Sequence, residues 1–205
     1  MVLQWVKAMK KNETIDDIKT EVLEHTDDKG AEYFIEHFET ILQISEIDSS
    51  EKYKIGCEPC KKYGKNLACP PYSPTLLEYV KDCRTAKVIC YRIPIEQFPE
   101  SITEKRYDAA FRKVRGLLMD ELLRYRKKGH RVAGSGTCLA CEQCAIELGK
   151  NRCKHPSKRI YSLESLGVNV VSLTEKAFGV KLEWSGCDSA ADFVSAVGAV
   201  FYKWL

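Results

Sequence analysis

One cysteine pattern, written twice, constrains this chain more than any other feature. The first copy runs Cys57-Glu58-Pro59-Cys60, then Gly64-Lys65-Asn66, then Cys69-Pro70-Pro71. The second runs Cys141-Glu142-Gln143-Cys144, then Gly149-Lys150-Asn151, then Cys153, and ends Lys154-His155-Pro156. Each reads C-E-x-C, eight residues, and a further cysteine, with G-K-N inside the spacer. The second copy adds Cys138 ahead of its pair, so seven of the ten cysteines fall in two loops at ligand spacing. Cysteines used only as small core residues would not repeat in this way.

A C-x2-C pair lets two thiolates from one tight turn reach the same metal centre, and the spacer lets a third turn back onto it. The compartment argument agrees. The start, Met1 to Lys11, carries a short apolar stretch already broken by Lys7, which does not read as a signal peptide. Nothing approaches the roughly 18 apolar residues needed to span a bilayer. A cytoplasmic chain is therefore expected, and cytosolic thiols are kept reduced, so clustered cysteines point to metal rather than to a disulfide framework. With 205 residues and 44% hydrophobic content the chain can build one globular domain, or one domain with an appendage.

The net charge of +3 hides an asymmetry. Residues 1–51 hold 5 Lys and no Arg against 13 Asp and Glu, a balance of −8, which leaves +11 on the remainder. Basic residues crowd the cysteine loops: Lys61, Lys62 and Lys65 in one, Lys150, Arg152, Lys154, Lys158 and Arg159 in the other. Such a run can be plain solvated surface, compensation of anionic thiolates, or a face for an acidic partner. No base-stacking aromatic motif accompanies it, so nucleic acid ranks last among partners.

The coarse reading is α/β: a mixed sheet with flanking helices, two cysteine-rich cluster-binding loops and an N-terminal helical segment. Asn12 is an expected N-cap for a helix with Ile15, Ile18, Val22 and Leu23 on one face, stopped by Gly30; a second helix is expected from Ala31 to Ile44. These place a helical appendage at 1–50 and an α/β iron–sulfur-binding domain at 51–205. The first cysteine loop occupies about 53–73. Ser73-Pro74 then suggests the start of a short helix to about Asp82. Ala86–Ile93 reads as a buried strand. From a Ser101/Glu104 capping box, Tyr107, Phe111, Val114, Leu118, Leu122 and Tyr125 mark a long helix that Gly129 ends. His130–Ala133 is a strand feeding the Gly134-Ser135-Gly136 hinge into the second loop. Ser157–Leu166 should be a turn and short helix. Val168–Leu173 and Val180–Trp184 are expected strands with a helical turn at 174–178 between them, and Ser195–Trp204 favours a strand.

The candidate ligands are Cys57, Cys60, Cys69, Cys138, Cys141, Cys144 and Cys153. The Cys138-x2-Cys141-x2-Cys144 run matches the first three ligands of a bacterial ferredoxin cluster, and Cys69-Pro70 and Cys153…Pro156 echo the proline that follows the fourth. Zinc is the alternative, because Cys138, Cys141, Cys144 and Cys153 could close a tetrahedron with His155 in reserve. Loop one has three cysteines and no histidine, which favours iron–sulfur overall. Two fully cysteinyl 4Fe–4S clusters need eight thiolates and the loops hold seven. The eighth is Cys83, Cys90 or Cys187, or else the loop-one cluster keeps one iron open to water, substrate or a non-cysteine side chain. Whether Cys153 serves its own loop or crosses over stays open at this level.

On these residues the chain resembles a domain-of-unknown-function family of predicted metal-binding proteins from anaerobic prokaryotes. The family pattern looks like C-x2-C…Y-G-x4-C-P-P, met by Cys57, Cys60, Tyr63, Gly64, Cys69, Pro70 and Pro71. It continues with C-x2-C-x2-C…C-[RK]-H-P, met by Cys138, Cys141, Cys144, Cys153, Lys154, His155 and Pro156. A serine-containing S-[ML]-E-x2-G-[IV] stretch follows, here Ser162-Leu163-Glu164-Ser165-Leu166-Gly167-Val168. The resemblance spans about residues 30–205. Tyr161 stands where proline is expected and Leu163 where methionine is expected; neither is a ligand. The resemblance implies iron–sulfur binding in an anaerobic cytoplasm and no established reaction.

Three functions compete. The first is an electron carrier with two 4Fe–4S clusters and a redox partner protein, docking through the acidic N-terminal segment and the basic loops. The second is an enzyme using an open iron, of sulfur-transfer or desulfuration type, on a small anionic or sulfur-containing substrate, with Lys65, Lys150 and His155 as candidates for handling charge or protons. The third is a zinc-stabilised interaction module. No catalytic triad, phosphate loop or dinucleotide fingerprint competes, and the electron carrier is the leading reading.

Overall fold

A computed structural model describes residues 18–27, 30–98, 103–183 and 191–203. Six strands form one sheet: β1 Lys19–Thr26, β2 Glu32–Gln43, β3 Thr85–Pro94, β4 Arg131–Gly134, β5 Tyr161–Ser162 and β6 Phe193–Tyr202. Their order is β1-β2-β3-β6-β4-β5. All neighbours are antiparallel except β4 and β5, which run parallel. Among the described residues three α-helices flank it: α1 Leu76–Tyr79, α2 Thr103–Lys127 and α3 Val170–Phe178. The expected mixed sheet with flanking helices is thus observed.

The period-2 alternation of β3 and β6 splits the core into two layers. Ile89, Tyr91 and Ile93 of β3 and Val194, Ala196 and Val200 of β6 face α2, meeting Val114, Leu118 and Leu122. Ala86, Val88 and Cys90, with Val197, Ala199 and Phe201, face the opposite way. There they meet Leu76, Val80, Leu163, Leu166, Leu173 and Phe178. Helix α2 lies close over β6, since a Cβ on Gly198 would come within 2.8 Å of the Ala133 carbonyl and 2.9 Å of Leu122 Cδ1. Only glycine fits that approach.

The expected N-terminal helices are overturned. Residues 19–26 and 32–43 are an antiparallel hairpin, with Lys19 opposite Glu39 and Thr26 opposite Glu32, and β2 pairs along β3 from Glu36–Arg92 to Gln43–Thr85. Gly30, read as a helix stop, sits at φ +81° in the hairpin turn, where its N–H bonds to the Asp27 carbonyl at 2.9 Å. The apolar spacing at Phe34, Phe38 and Ile41 suits a helical stripe, but Thr20, Val22, Tyr33, Ile35 and Thr40 supply β-forming residues between, and pairing with β3 decides. The expected Asn12 cap and Ile15 lie outside the described residues.

Further along, α1 is capped by Thr75 rather than Ser73, with Glu78 completing a capping box, and ends at Tyr79 rather than Asp82. The expected strand at 168–173 is instead the first half of α3: the Asn169 side chain accepts from Ser172 N, and Gly179 ends the helix at φ +66°. These cap signals outweigh the β-branched Val168, Val170 and Val171. No strand covers 180–183, the described part of the segment expected to be one. Between 156 and 166 the expected short helix is two 3₁₀ turns around β5. The strands expected near 86–93, 130–133 and 195–204, and the long helix, are observed as β3, β4, β6 and α2; its Ser101 cap falls outside the described residues.

Candidate metal centre

Loop one begins with a 3₁₀ helix, Glu51–Cys57, capped by the Ser50 side chain. It continues as successive tight turns, each N–H bonding three residues back: Cys60 to Cys57, Tyr63 to Cys60, Cys69 to Asn66, Tyr72 to Cys69. These turns set Cys57, Cys60 and Cys69 along one cleft. Gly64, at φ +67°, donates to the Pro70 carbonyl at 2.9 Å and closes the loop on itself. The floor beneath is the Ser162–Val168 segment. Ser73 Oγ donates to the Ser165 carbonyl at 2.6 Å, and Ser50 N to the Gly167 carbonyl at 2.8 Å. Gly167, at φ +77°, has the Ser50 carbonyl 2.6 Å from where a Cβ would stand, so a side chain there would push loop one off its floor.

Loop two is hung from the long helix. Arg115 of α2 donates from Nε to the Ser135 carbonyl at 2.8 Å and from Nη2 to the Thr137 carbonyl. At its far end, Arg126 donates to the Ser157 and Pro156 carbonyls at 2.8 and 3.3 Å. Hydrogen bonds from a charged guanidinium are stronger than neutral ones, and the basic run at the end of α2 is partly explained by this task. Within the loop, Cys144 caps a 3₁₀ turn, Ala145–Leu148, and its N–H bonds to Glu147 Oε2 at 3.2 Å.

The two loops touch. Leu67 N donates to Cys144 Sγ at 3.3 Å, Asn66 Nδ2 approaches the Cys138 carbonyl at 3.4 Å, and Lys62 Nζ lies 3.3 Å from Glu147 Oε1. Asn66, the buried asparagine of the first G-K-N, also holds Ala68 N through Oδ1 at 2.9 Å. Its two ends therefore fix the loop-one turn and tie it to loop two.

A cleft of about 480 Å³ opens between loop one and its floor, lined by Cys57, Cys60 and Cys69 with Tyr63, Glu164 and Val168. Burial pushes the Cys69 thiol up to about 11, helped by the charges of Cys60, Cys57, Cys138 and Cys144. The Cys57 thiol is also raised, by burial and then by Glu164 and Cys60. Four of the other expected ligands thus influence the Cys69 position, and a cation there would reverse the penalty by favouring thiolates. Among the described residues the sulfurs are not gathered in threes within 4.8 Å; the set that is so gathered is His37, Glu39 and Glu121, on the α2 side of the sheet. Cys141 and Cys153 lie half-buried in loop two.

Of the candidates for an eighth thiolate, two stand elsewhere. Cys90 is fully buried in β3 opposite Phe38 and Val197, its thiol pushed up to about 12 by burial. Cys83 is buried beside Arg131, whose Nη1 lies 3.7 Å from its sulfur. Cys187 lies outside the described residues. Lys65, Lys150 and His155 are exposed. Glu164 was named in sequence only as part of a motif, yet it reaches the cleft; a carboxylate flanked by Leu163 and Leu166 was the signal. Burial holds its carboxyl above the usual range, against the hydrogen bonds from its own backbone N–H and Ser162.

Neither the curated proteins nor the solved structures compared with this chain gave a match. A family profile described as "Predicted metal-binding protein (DUF2284)" matches residues 40–202, from β2 through both cysteine loops to the end of β6. By that match over most of its length, the chain belongs to this family of predicted metal-binding proteins.

Proposed function

We propose that the protein is an iron–sulfur electron carrier of a reducing, oxygen-poor cytoplasm, with one 4Fe–4S cluster on each cysteine loop. The observation that carries this reading is the direct joining of the two loops, Leu67 N to Cys144 Sγ at 3.3 Å, which sets the two thiolate groups side by side. Cys57, Cys60 and Cys69 would hold one cluster, and Cys138, Cys141, Cys144 and Cys153 the other. Such clusters supply reversible one-electron transfer. The chain's part is to hold the thiolates, to aim backbone N–H groups such as Leu67 N at sulfur, and to screen their charge. Exposed Lys61, Lys65, Lys150 and Lys154 suit an acidic redox partner protein.

The cleft favours a second reading, an enzyme of sulfur-transfer or desulfuration type. Its volume and its apolar wall of Val168, Val170 and Val171 leave room for a small sulfur-containing molecule next to the loop-one thiolates. Iron, sulfide and zinc content with EPR on anaerobically purified protein tests the shared premise. The expected result is about eight Fe and about eight sulfide per chain. One or two Zn without sulfide would replace both readings with a zinc-stabilised module.

A further inference from the structure

The loop-one thiolates number three, and the cleft that holds them contains one more group of ligand type. Glu164 lines it together with Cys57, Cys60 and Cys69. Its turn is fixed: Leu163 and Leu166 on either side are fully buried, Ser165 Oγ donates to the Ser162 carbonyl at 2.8 Å, and Gly167 is pinned against Ser50. The carboxylate is held by its own backbone N–H and the Ser162 side chain. Its other oxygen, Oε2, is buried and has no hydrogen-bond partner.

A buried carboxylate oxygen with nothing bound is costly, and native folds seldom leave one without a role. Glu164 stands within electrostatic range of Cys57, and Lys54 is a cation in the same range. Lys54 is itself engaged, its Nζ 3.1 Å from the Ser73 carbonyl and 3.6 Å from Glu51. Thiols and a carboxylate therefore converge on one cleft, and among the described residues no cation forms an ion pair with Glu164 there. That is the electrostatic signature of a cation-binding centre. No other described cysteine lines the cleft: Cys90 is enclosed in β3, and Cys83 sits beside Arg131.

We infer that Glu164, through Oε2, is the fourth ligand to the metal centre held by Cys57, Cys60 and Cys69. The inference rests on the reading that these three thiolates share a centre. A carboxylate is a harder donor than thiolate and a poorer match for the iron of a cluster. It is thus the ligand that a small anionic or sulfur-containing molecule entering the cleft would displace, which gives loop one an exchangeable position that four thiolates would not.

The test compares anaerobically purified wild type with Cys57→Ser, Glu164→Gln and Glu164→Cys by metal content per chain and EPR of the reduced protein. Cys57→Ser should lose about half of the metal, all from loop one, with the loop-two signal intact. Glu164→Gln, nearly isosteric but uncharged, should lose the same half or shift the same signal. Glu164→Cys should restore full content with a spectrum changed from wild type. If Cys57→Ser loses nothing, the shared centre itself is wrong and the inference falls with it. If Cys57→Ser loses loop-one metal while Glu164→Gln keeps wild-type content and spectrum, the centre stands and Glu164 is no ligand. Should Glu164→Gln also lose the loop-two signal, Glu164→Cys decides: full metal with a changed spectrum supports the ligand role, and either a wild-type spectrum or lost metal overturns it.

Discussion

Two regions of this molecule are held together by different physics. Under α2, Val114, Leu118 and Leu122 are fully buried against Ile89, Ile93, Val194, Ala196 and Val200, a close-packed apolar layer. In the cysteine loops the buried hydrophobic side chains are few, chiefly Leu67, Ala68, Pro70 and Ala145, while Ile55, Leu139 and Leu148 stand in solvent. The loops keep their shape through tight backbone turns and side chains that bond to carbonyls: Arg115, Arg126, Ser73 and Asn66. Folding free energy in the first region comes from apolar burial. In the second such burial is small, and metal binding is the remaining large source. The sheet layer is therefore expected to persist without metal, and the loops to depend on it.

The largest effect expected is on metal removal. Apparent binding energies of structural metal sites reach about 10 kcal/mol, so chelation should strip amide protection from 53–73 and 134–158 while α2 keeps its own. Hydrogen exchange on metal-loaded and stripped protein measures this, and equal loop protection in both would break the contrast. Next in size, Leu118→Ala or Leu122→Ala should cost about 2–5 kcal/mol by leaving a cavity under α2, read by denaturant unfolding. Metal content per folded chain should not change; a parallel loss of metal would mean that the two regions are one cooperative unit.

Asn66→Ala sharpens the comparison from the other side. It removes the bond to Ala68 N and the tether toward the Cys138 carbonyl, a loss of roughly 1–2 kcal/mol. The release of metal to a chelator should quicken, with the α2 layer unaffected. The smallest effect belongs to His37. Burial alone would lower its pKa, but hydrogen bonds and charge from Glu121 and Glu21 hold it above the ordinary value, with Glu121 also accepting from Tyr91 at 2.8 Å. A raised folded pKa means that its contribution is complete below about pH 6.5 and fades as pH climbs through the folded value. Unfolding measured across pH 6–9 should show that decline in wild type and a flatter profile in His37→Gln, whereas hydrogen exchange in the loops should not follow it.

Much of this was legible in the residues themselves. The 3.6-residue stripe from Tyr107 to Tyr125 and the apolar run at 86–93 carry strong local signals, and α2 and β3 stand where the patterns put them. The paired cysteine spacings marked both loops, because ligand geometry is a short-range property of sequence. The N-terminal segment went the other way. Its apolar spacing satisfies a helix as readily as a strand buried on both faces, and the choice was made by β3, more than forty residues distant in sequence, whose open edge β2 completes. The valines around the start of α3 misled for a similar reason: β propensity at Val168, Val170 and Val171 is weaker than the Asn169 cap, which is itself anchored by Asp48 at 3.0 Å.

Sequence by itself determined the metal-binding character, since two copies of one thiolate spacing have few other uses. It could count seven candidate ligands in the loops and could not show which other side chain folds beside them. That placement needed the Ser162–Val168 turn to be folded beneath loop one, held by Ser73, Ser50 and Gly167. A carboxylate close to one hundred residues from its neighbouring thiols carries no local mark of the cleft it enters. Only the tertiary structure, by burying Glu164 Oε2 without a hydrogen-bond partner in the cleft that Cys57, Cys60 and Cys69 line, brought this carboxylate to the loop-one thiols.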